Sequence, residues 1–379
     1  MRILHIYSGN LYGGIETALV ALARHRALCP ELTQEVALCF DGRLRTELEA
    51  AGIRVHRLPA PRASVPHTVA RARRALAALL ARESFDRAIC HAAWSQALFG
   101  GIVRRRALPL VFWAHDAVTG RHWTERLARR VPPDFAICNS RFTAGALTSM
   151  YPDVPSTVLA YAVDLRTPAL TPGEVMDIRG SLHTKDDHVV IAQASRMEAW
   201  KGHSVLLEAL AQLADRREWV CWIVGGPQRP AESTYADSLR ELARRLAIAD
   251  RVRFVGASTE VPRLLAAADI YCQPNIGAEP FGVVFIEALA AGLPAVASAI
   301  GGPTDIITEA CGRLVPPGDT TALSATLRAL VEDASLRRRL GRAAPRRAQE
   351  LCDPPTQIRR LHEALASPMR SARVRMTCR

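Results

Sequence analysis

Val189-Val-Ile-Ala-Gln-Ala-Ser-Arg-Met-Glu-Ala-Trp-Lys-Gly202 runs from a short, mostly apolar stretch into a polar turn, and a helical pattern follows. The first six residues read as a strand buried on both faces, because strands of a covered parallel sheet lose the apolar–polar alternation. The same strand–turn–helix unit recurs in both directions. Strand candidates follow at 220–224, 252–255, 270–273 and 295–297, and an earlier series occupies 3–7, 35–40, 53–58, 87–90, 110–114, 135–138 and 157–160. Helical patterns fill the gaps, among them 16–28 with its Ala/Leu/Val stripe and the basic amphipathic stretch 68–82. Such alternation predicts parallel sheets with helical crossovers.

A chain of 379 residues exceeds the size at which one core stops growing, so the two series predict two doubly wound α/β domains. The stretch 161–187, with two prolines and several polar residues, reads as the connection between them. Expected boundaries are 1–165 for the first domain and 166–354 for the second. After Asp319 the pattern is purely helical; Pro354-Pro355 breaks it, and one last helix precedes a frayed basic tail. Ligands of doubly wound sheets bind beyond the carboxyl ends of the strands, so the functional site is expected in a deep cleft between the two domains.

Composition narrows the function classes. The hydrophobic fraction of 49% and charged fraction of 23% are those of an ordinary globular protein. No run of 18 apolar residues offers a spanning helix, and the opening residues lack the apolar segment of a signal peptide. A cytoplasmic protein is expected. Nine cysteines, scattered singly and without a CxxC pair, fit buried reduced thiols. The formal charge of +12 is almost entirely arginine, since Lys185 and Lys201 are the only lysines. Solvated helix faces are the default reading of the Arg runs, with peripheral contact at an anionic inner membrane face as the alternative. Nucleic acid is not expected as a partner, because no zinc-finger spacing, aromatic RNA-binding motif or basic heptad segment accompanies the charge.

Chemistry concentrates in a few turns. Glu279-Pro-Phe-Gly-Val-Val-Phe-Ile-Glu287 follows a strand and opens a helix. Gly282 lets a backbone approach a ligand, and the free amides after Phe281 form an anion site. Glu279 on the loop can accept sugar hydroxyls; Glu287 lies within the helix. Eight residues of helix would separate the two carboxylates by roughly 12 Å, beyond the roughly 5–9.5 Å used for glycoside hydrolysis. Arg196 and Lys201, after the strand 189–194, present a guanidinium fork and a compact ammonium where such a domain binds phosphate. In the first half, Gly13 and Gly14 precede another helix and permit positive φ and close backbone approach. Their spacing is not GxGxxG, and GxxxxGK[ST] is absent, so neither a dinucleotide dehydrogenase nor a P-loop NTPase is supported. His115 ends a very apolar strand, where it could bond a sugar hydroxyl or serve structurally. HExxH, paired Cys/His spacing and Asp-x-Asp are all missing, so no metal ligands are expected.

Together these motifs resemble the retaining glycosyltransferases of family 4, which have the GT-B fold of two Rossmann-like domains. The resemblance covers nearly the whole chain: Gly13-Gly14-Ile15-Glu16, His115, Asn139-Ser140, Arg196 with Lys201, Val224-Gly-Gly-Pro227, Glu279 to Glu287, Gly301-Gly302-Pro303 and Leu314 to Asp319. It implies a hexosyltransferase that uses a nucleotide sugar of the UDP or GDP type as donor substrate, with no other cofactor, and a glycan or lipid-linked glycan as acceptor. Arg196 and Lys201 would hold the diphosphate, Glu287 the ribose, and Glu279 with the backbone at Phe281 and Gly282 the sugar. His115 would contact the sugar near the reacting carbon, and Gly14 would let the first domain close over the phosphates. The resemblance further implies metal-independent, front-face attack, and a last helix (355–367) that packs back onto the first domain. A catalytically silent nucleotide-sugar binder is the alternative. Two positions depart from the family pattern: Ala160-Tyr-Ala-Val-Asp164 stands where Pro-Asn-Gly-Val-Asp is frequent, and Asp305 where Glu is.

Overall fold

The structure is a computed structural model that describes residues 1–9, 12–216 and 218–367. Asn10 and Leu11 of the first glycine loop, and the basic tail expected after the last helix, lie outside the described residues. The chain forms two compact units: Met1–Val163 joined by the chain from Asp353 onward, and Asp164–Cys352.

The sheet of the first unit contains β1 (Arg2–Tyr7), β2 (Thr33–Leu38), β3 (Arg54–Arg57), β4 (Arg87–His91), β5 (Leu110–Ala114), β6 (Phe135–Cys138) and β7 (Ser156–Val158). All pairs are parallel, in the order β3-β2-β1-β4-β5-β6-β7. Alternate residues leave the sheet on opposite faces, as the two-residue period requires. Leu4, Ile6 and Ala37 join Leu76, Leu79 and Phe99 in one core cluster, while Tyr7, Val36 and Leu38 join Leu19, Leu44 and Leu48 in another. Helix Pro354–Ala366 completes this unit: Ile358, Leu361 and Leu365 are buried, and the helix packs against Gly14–Arg24. Asp353 caps it by accepting from the Thr356 amide (3.1 Å).

The second unit repeats the plan with β8 (Val189–Ala194), β9 (Trp219–Val224), β10 (Val252–Gly256), β11 (Ile270–Gln273), β12 (Ala295–Ser298) and β13 (Gly312–Val315). These strands are also parallel, in the order β10-β9-β8-β11-β12-β13. Ile191, Trp219 and Ile223 pack with Leu206, Leu239 and Leu327 in one continuous core. In both sheets the winding reverses where the unit's first strand meets its fourth.

Two elements were not expected. β13 is a four-residue edge strand with Leu314 exposed, so it carries no apolar run to announce it. The presumed connection contains helix Pro172–Ser181, opened by a capping box in which Thr171 Oγ1 accepts from the Glu174 amide and Glu174 from the Thr171 amide. The eight cysteines among the described residues are all buried and unpaired.

Candidate active site

Where the second sheet reverses its winding, β8 and β11 lie side by side, and each ends in a loop leading to a helix. The loops are laced together. The Trp200 carbonyl accepts from the amides of Ile276 (2.9 Å) and Gly277 (3.2 Å). Gly202 has φ of +75°, and a Cβ there would stand 1.8 Å from the Pro274 carbonyl oxygen, so only glycine fits both the turn and the approach.

This lacing brings Lys201 against Glu279. The ammonium donates to Glu279 Oε2 and lies 3.9 Å from the centroid of the Trp200 ring. The two side chains are only 13% and 11% exposed. Gln273 and Asn275, both buried, turn amide groups toward the same oxygen at 3.4 and 3.3 Å, and the Tyr271 hydroxyl orients Gln273 by donating at 2.8 Å. The Glu279 carbonyl in turn accepts from the Gly302 amide at 2.7 Å. A Cβ at Gly302 would fall 2.5 Å from the Phe281 carbonyl oxygen, so this glycine turn holds the Glu279-Pro-Phe segment by direct backbone contact.

Arg196, on the same loop as Lys201, bonds Glu232 at 2.5 Å and lies 3.3 Å from Glu198. Its Nε is buried and has no partner among the described residues, so one donor of the fork is unsatisfied. Gly282, with φ of +101°, heads helix Val283–Ala290, and Phe281 before it is buried. Glu287 lies one turn into that helix. Its surface is partly accessible, yet burial of the carboxyl lifts it to about 7, and no hydrogen bond satisfies it among the described residues. An unpartnered carboxylate perturbed by desolvation is a candidate for binding or catalysis.

In the first unit the expected residues behave differently. Gly13 is extended (φ −166°), a conformation open to any residue, and Gly14 begins the helix; the left-handed glycine of this loop is Gly9. The expected positive φ at Gly13 and Gly14 is therefore corrected. Glu16 pins the loop, accepting from the Gly13 amide (2.9 Å) and the Tyr7 hydroxyl (2.6 Å). His115 follows β5 directly and is 4% exposed. Its Nε2 lies 2.8 Å from His91 Nδ1, and its Nδ1 2.5 Å from the Tyr161 hydroxyl. A direct bond from His115 to a sugar hydroxyl is therefore not available in this conformation, because both ring nitrogens are already engaged. Burial also pushes the ring down to about 3, so it is neutral at physiological pH.

Residues 12–167 match the model of Glycosyltransferase Family 4, and residues 175–347 match that of Glycosyl transferases group 1. The chain belongs to glycosyltransferase family 4. Its similarity to D-inositol 3-phosphate glycosyltransferase of Kribbella flavida is 30% identity over 227 residues, covering 57% of this chain and 52% of the relative. Phosphatidyl-myo-inositol mannosyltransferase of Mycobacterium leprae is 37% identical over 176 residues, 45% of either chain. The chain thus spans about half the length of the curated relatives it matches. Anabaena Alr3699/HepE, solved in complex with UDP and glucose, superposes with a TM-score of 0.84 at 25% identity, covering 97% of this chain and 100% of that one. WaaG, a glycosyltransferase involved in lipopolysaccharide biosynthesis, shares the fold (TM-score 0.72, 18% identity, 97% and 100% covered). The two-sheet architecture is GT-B.

Within this family 4 member, the motifs did not point to Glu232, to the amides of Gln273 and Asn275, or to the partners of His115. Gln273 and Asn275 left a trace, since polar residues close an otherwise apolar strand there. Glu232 left none, because it reaches Arg196 from a helix that follows the next strand.

Proposed function

We propose that this family 4 chain transfers a hexose from a nucleoside-diphosphate sugar of the UDP or GDP type to a glycan or lipid-linked glycan, retaining the anomeric configuration and needing no metal ion. The observation that carries the reading is the Lys201–Glu279 pair, laced at the reversal of the second sheet beside Arg196 and the helix start at Gly282. Negative charge grows on the diphosphate as the bond to the sugar breaks, and fixed cations there stabilise it without reorganising. Arg196 and Lys201 take that part. Glu279, its Oε2 held by Lys201, offers Oε1 to sugar hydroxyls, and Glu287 accepts from the ribose. Gly14, exposed at its helix start, leaves room beside the phosphates. His115 meets the sugar only after giving up Tyr161. The acceptor hydroxyl attacks the anomeric carbon on the face from which the diphosphate leaves. Its proton passes to a departing phosphate oxygen, and the nucleoside diphosphate is released. The crystals of Alr3699/HepE with UDP and with UDP-glucose support the donor class.

A thermal-shift series with UDP, GDP and their sugar conjugates tests the donor site. Ligand at a hundred times its dissociation constant adds about 2.7 kcal/mol, a rise of roughly 2–4 °C for domains of this size. EDTA should leave the shift and the transfer rate unchanged. Because the Glu287 carboxyl titrates at about 7 and binds hydroxyls best when ionised, nucleotide affinity should weaken as pH falls below 7. Glu287→Gln should flatten that dependence and weaken binding throughout. No shift with any nucleotide overturns the donor reading, and a shift abolished by EDTA overturns metal independence.

The chain is further proposed to work in the cytoplasm at an anionic membrane face, with no nucleic-acid partner. No helix among the described residues is long and apolar enough to cross a membrane, while Arg71 and Arg74 stand exposed one turn apart on helix Pro66–Arg82. Binding to vesicles containing anionic phospholipid should be measurable at low salt and weaken as salt rises. Equal binding to neutral vesicles counts against an electrostatic contact.

A further inference from the structure

A file of three histidines crosses the first sheet. His5 lies in β1, His91 closes β4 and His115 follows β5, three strands that are neighbours in the sheet. His5 Nδ1 is 2.8 Å from His91 Nε2, and His91 Nδ1 is 2.8 Å from His115 Nε2. One end of the file is Gln34, whose Oε1 lies 3.2 Å from His5 Nε2. The other end is the Tyr161 hydroxyl, which also accepts from Asn139 Nδ2 at 2.9 Å. The His91 and His115 rings are stacked with centroids 5.0 Å apart, and Trp113 covers both. Every member is buried.

The order of donors follows from one end. A side-chain carbonyl oxygen can only accept, so Gln34 requires a proton on His5 Nε2. A neutral imidazole carries one proton, which leaves His5 Nδ1 bare and obliges His91 Nε2 to donate to it. The same step repeats at His115, whose Nε2 donates and whose Nδ1 accepts from Tyr161. Neutrality itself follows from burial, which pushes His5 to about 4, His115 to about 3 and His91 well below its usual value. Two carboxylates act on this face: Glu16, held by the Tyr7 hydroxyl and the Gly13 amide, and Asp116, which follows His115 and acts electrostatically on Tyr7.

We propose that His5 and His91 are positioning residues for sugar transfer, holding His115 as its Nε2–H tautomer so that Nδ1 faces Tyr161 solely as an acceptor. The inference rests on the transferase reading above. It gives the departure at Tyr161 a role: its hydroxyl occupies the place on His115 that a sugar hydroxyl takes in the working enzyme, and that hydroxyl must donate.

The test is a long-range proton–nitrogen correlation spectrum of the full chain with ¹⁵N-labelled histidine rings at pH 7.5. Three rings protonated at Nε2 are expected. His91→Phe keeps the stacked ring but cuts the file, so His115 should populate both tautomers. Its turnover number should fall on the order of tenfold to a hundredfold, with the donor KM nearly unchanged. Should His91→Phe not fold, Gln34→Leu removes the terminal acceptor and is expected to mix the tautomers in the same way. Tyr161→Phe, at the far end, should leave the Nε2–H order of the rings intact. Protonation of His115 at Nδ1 in the unsubstituted chain overturns the proposal, as does a folded His91→Phe chain with native tautomer and turnover. Absence of turnover in the unsubstituted chain overturns the transferase reading and the positioning role with it; the ring spectrum tells that failure apart from a wrong tautomer.

Discussion

Replacing Lys201 with Met is expected to lower sugar transfer by about 10²–10³-fold, the usual cost of deleting one fixed donor to a developing anion. The substitution keeps most of the aliphatic stem and its contact with Trp200 while removing the charge. It also leaves Glu279 ionised and nearly buried, with only the Gln273 and Asn275 amides beside it. Breaking a buried pair from one side destabilises by about 3–5 kcal/mol, and the two remaining amides should hold the loss near the lower figure. The double variant Lys201→Met, Glu279→Gln removes the stranded charge. It should therefore recover stability against urea without recovering rate. Initial rates and urea melts of the four members of this cycle separate the two effects. A Lys201→Met chain with native rates would falsify the assignment of the cation to the donor phosphates.

Mild acid should open the first unit before the second. The unfolded chain takes protons on His5, His91 and His115 below about pH 6.5, whereas the folded His5 and His115 resist until about 4 and 3. Their folded values are depressed, so the stability they carry is complete above pH 6.5 and is lost as pH falls toward those values. Each such ring costs about 1.4 kcal/mol per pH unit across that interval. At pH 5 His5 and His115 alone amount to a loss on the order of 4 kcal/mol, a large part of a domain's stability. In the second unit His203, pushed down to about 4 by burial and then by Lys201, acts in the same direction. Glu287 opposes it there: its raised carboxyl takes its proton in the folded state first, between about 7 and the ordinary carboxylate range. Hydrogen exchange followed by peptide mass, corrected for intrinsic rates, reads each unit separately. Peptides from β1, β4 and β5 should lose protection between pH 6.5 and 5 while those from β8 and β9 hold theirs. Equal loss in both units would mean that the rings are not kept neutral by burial.

The sheets were legible because covered parallel strands repeat one apolar signal at regular intervals. β13 escaped because an exposed edge strand has no such signal, and helix Pro172–Ser181 escaped because Pro168 and Pro172 read as breakers and masked the Thr171–Glu174 cap. At the site, charged residues on turns after strands were readable one loop at a time. Sequence could not say that two of those loops are stitched at Trp200, or that Arg196 already has Glu232 for company. Of the histidine file, only His115 stood out in the sequence. His5, His91 and His115 each interrupt or end an apolar strand, but their alignment depends on the strand order, which places the first, fourth and fifth strands together.

The return of the chain to the first unit at Asp353 bears on how the molecule is made. A ribosome delivers the first sheet early, yet helix Pro354–Ala366, which packs against Gly14–Arg24, arrives only after the whole second unit. Everything the second unit needs emerges in one uninterrupted length, so it can fold as soon as it clears the exit tunnel. The nascent first unit must wait with an apolar face open. Synthesis therefore inverts the order of the sequence: the half that is begun first is finished last.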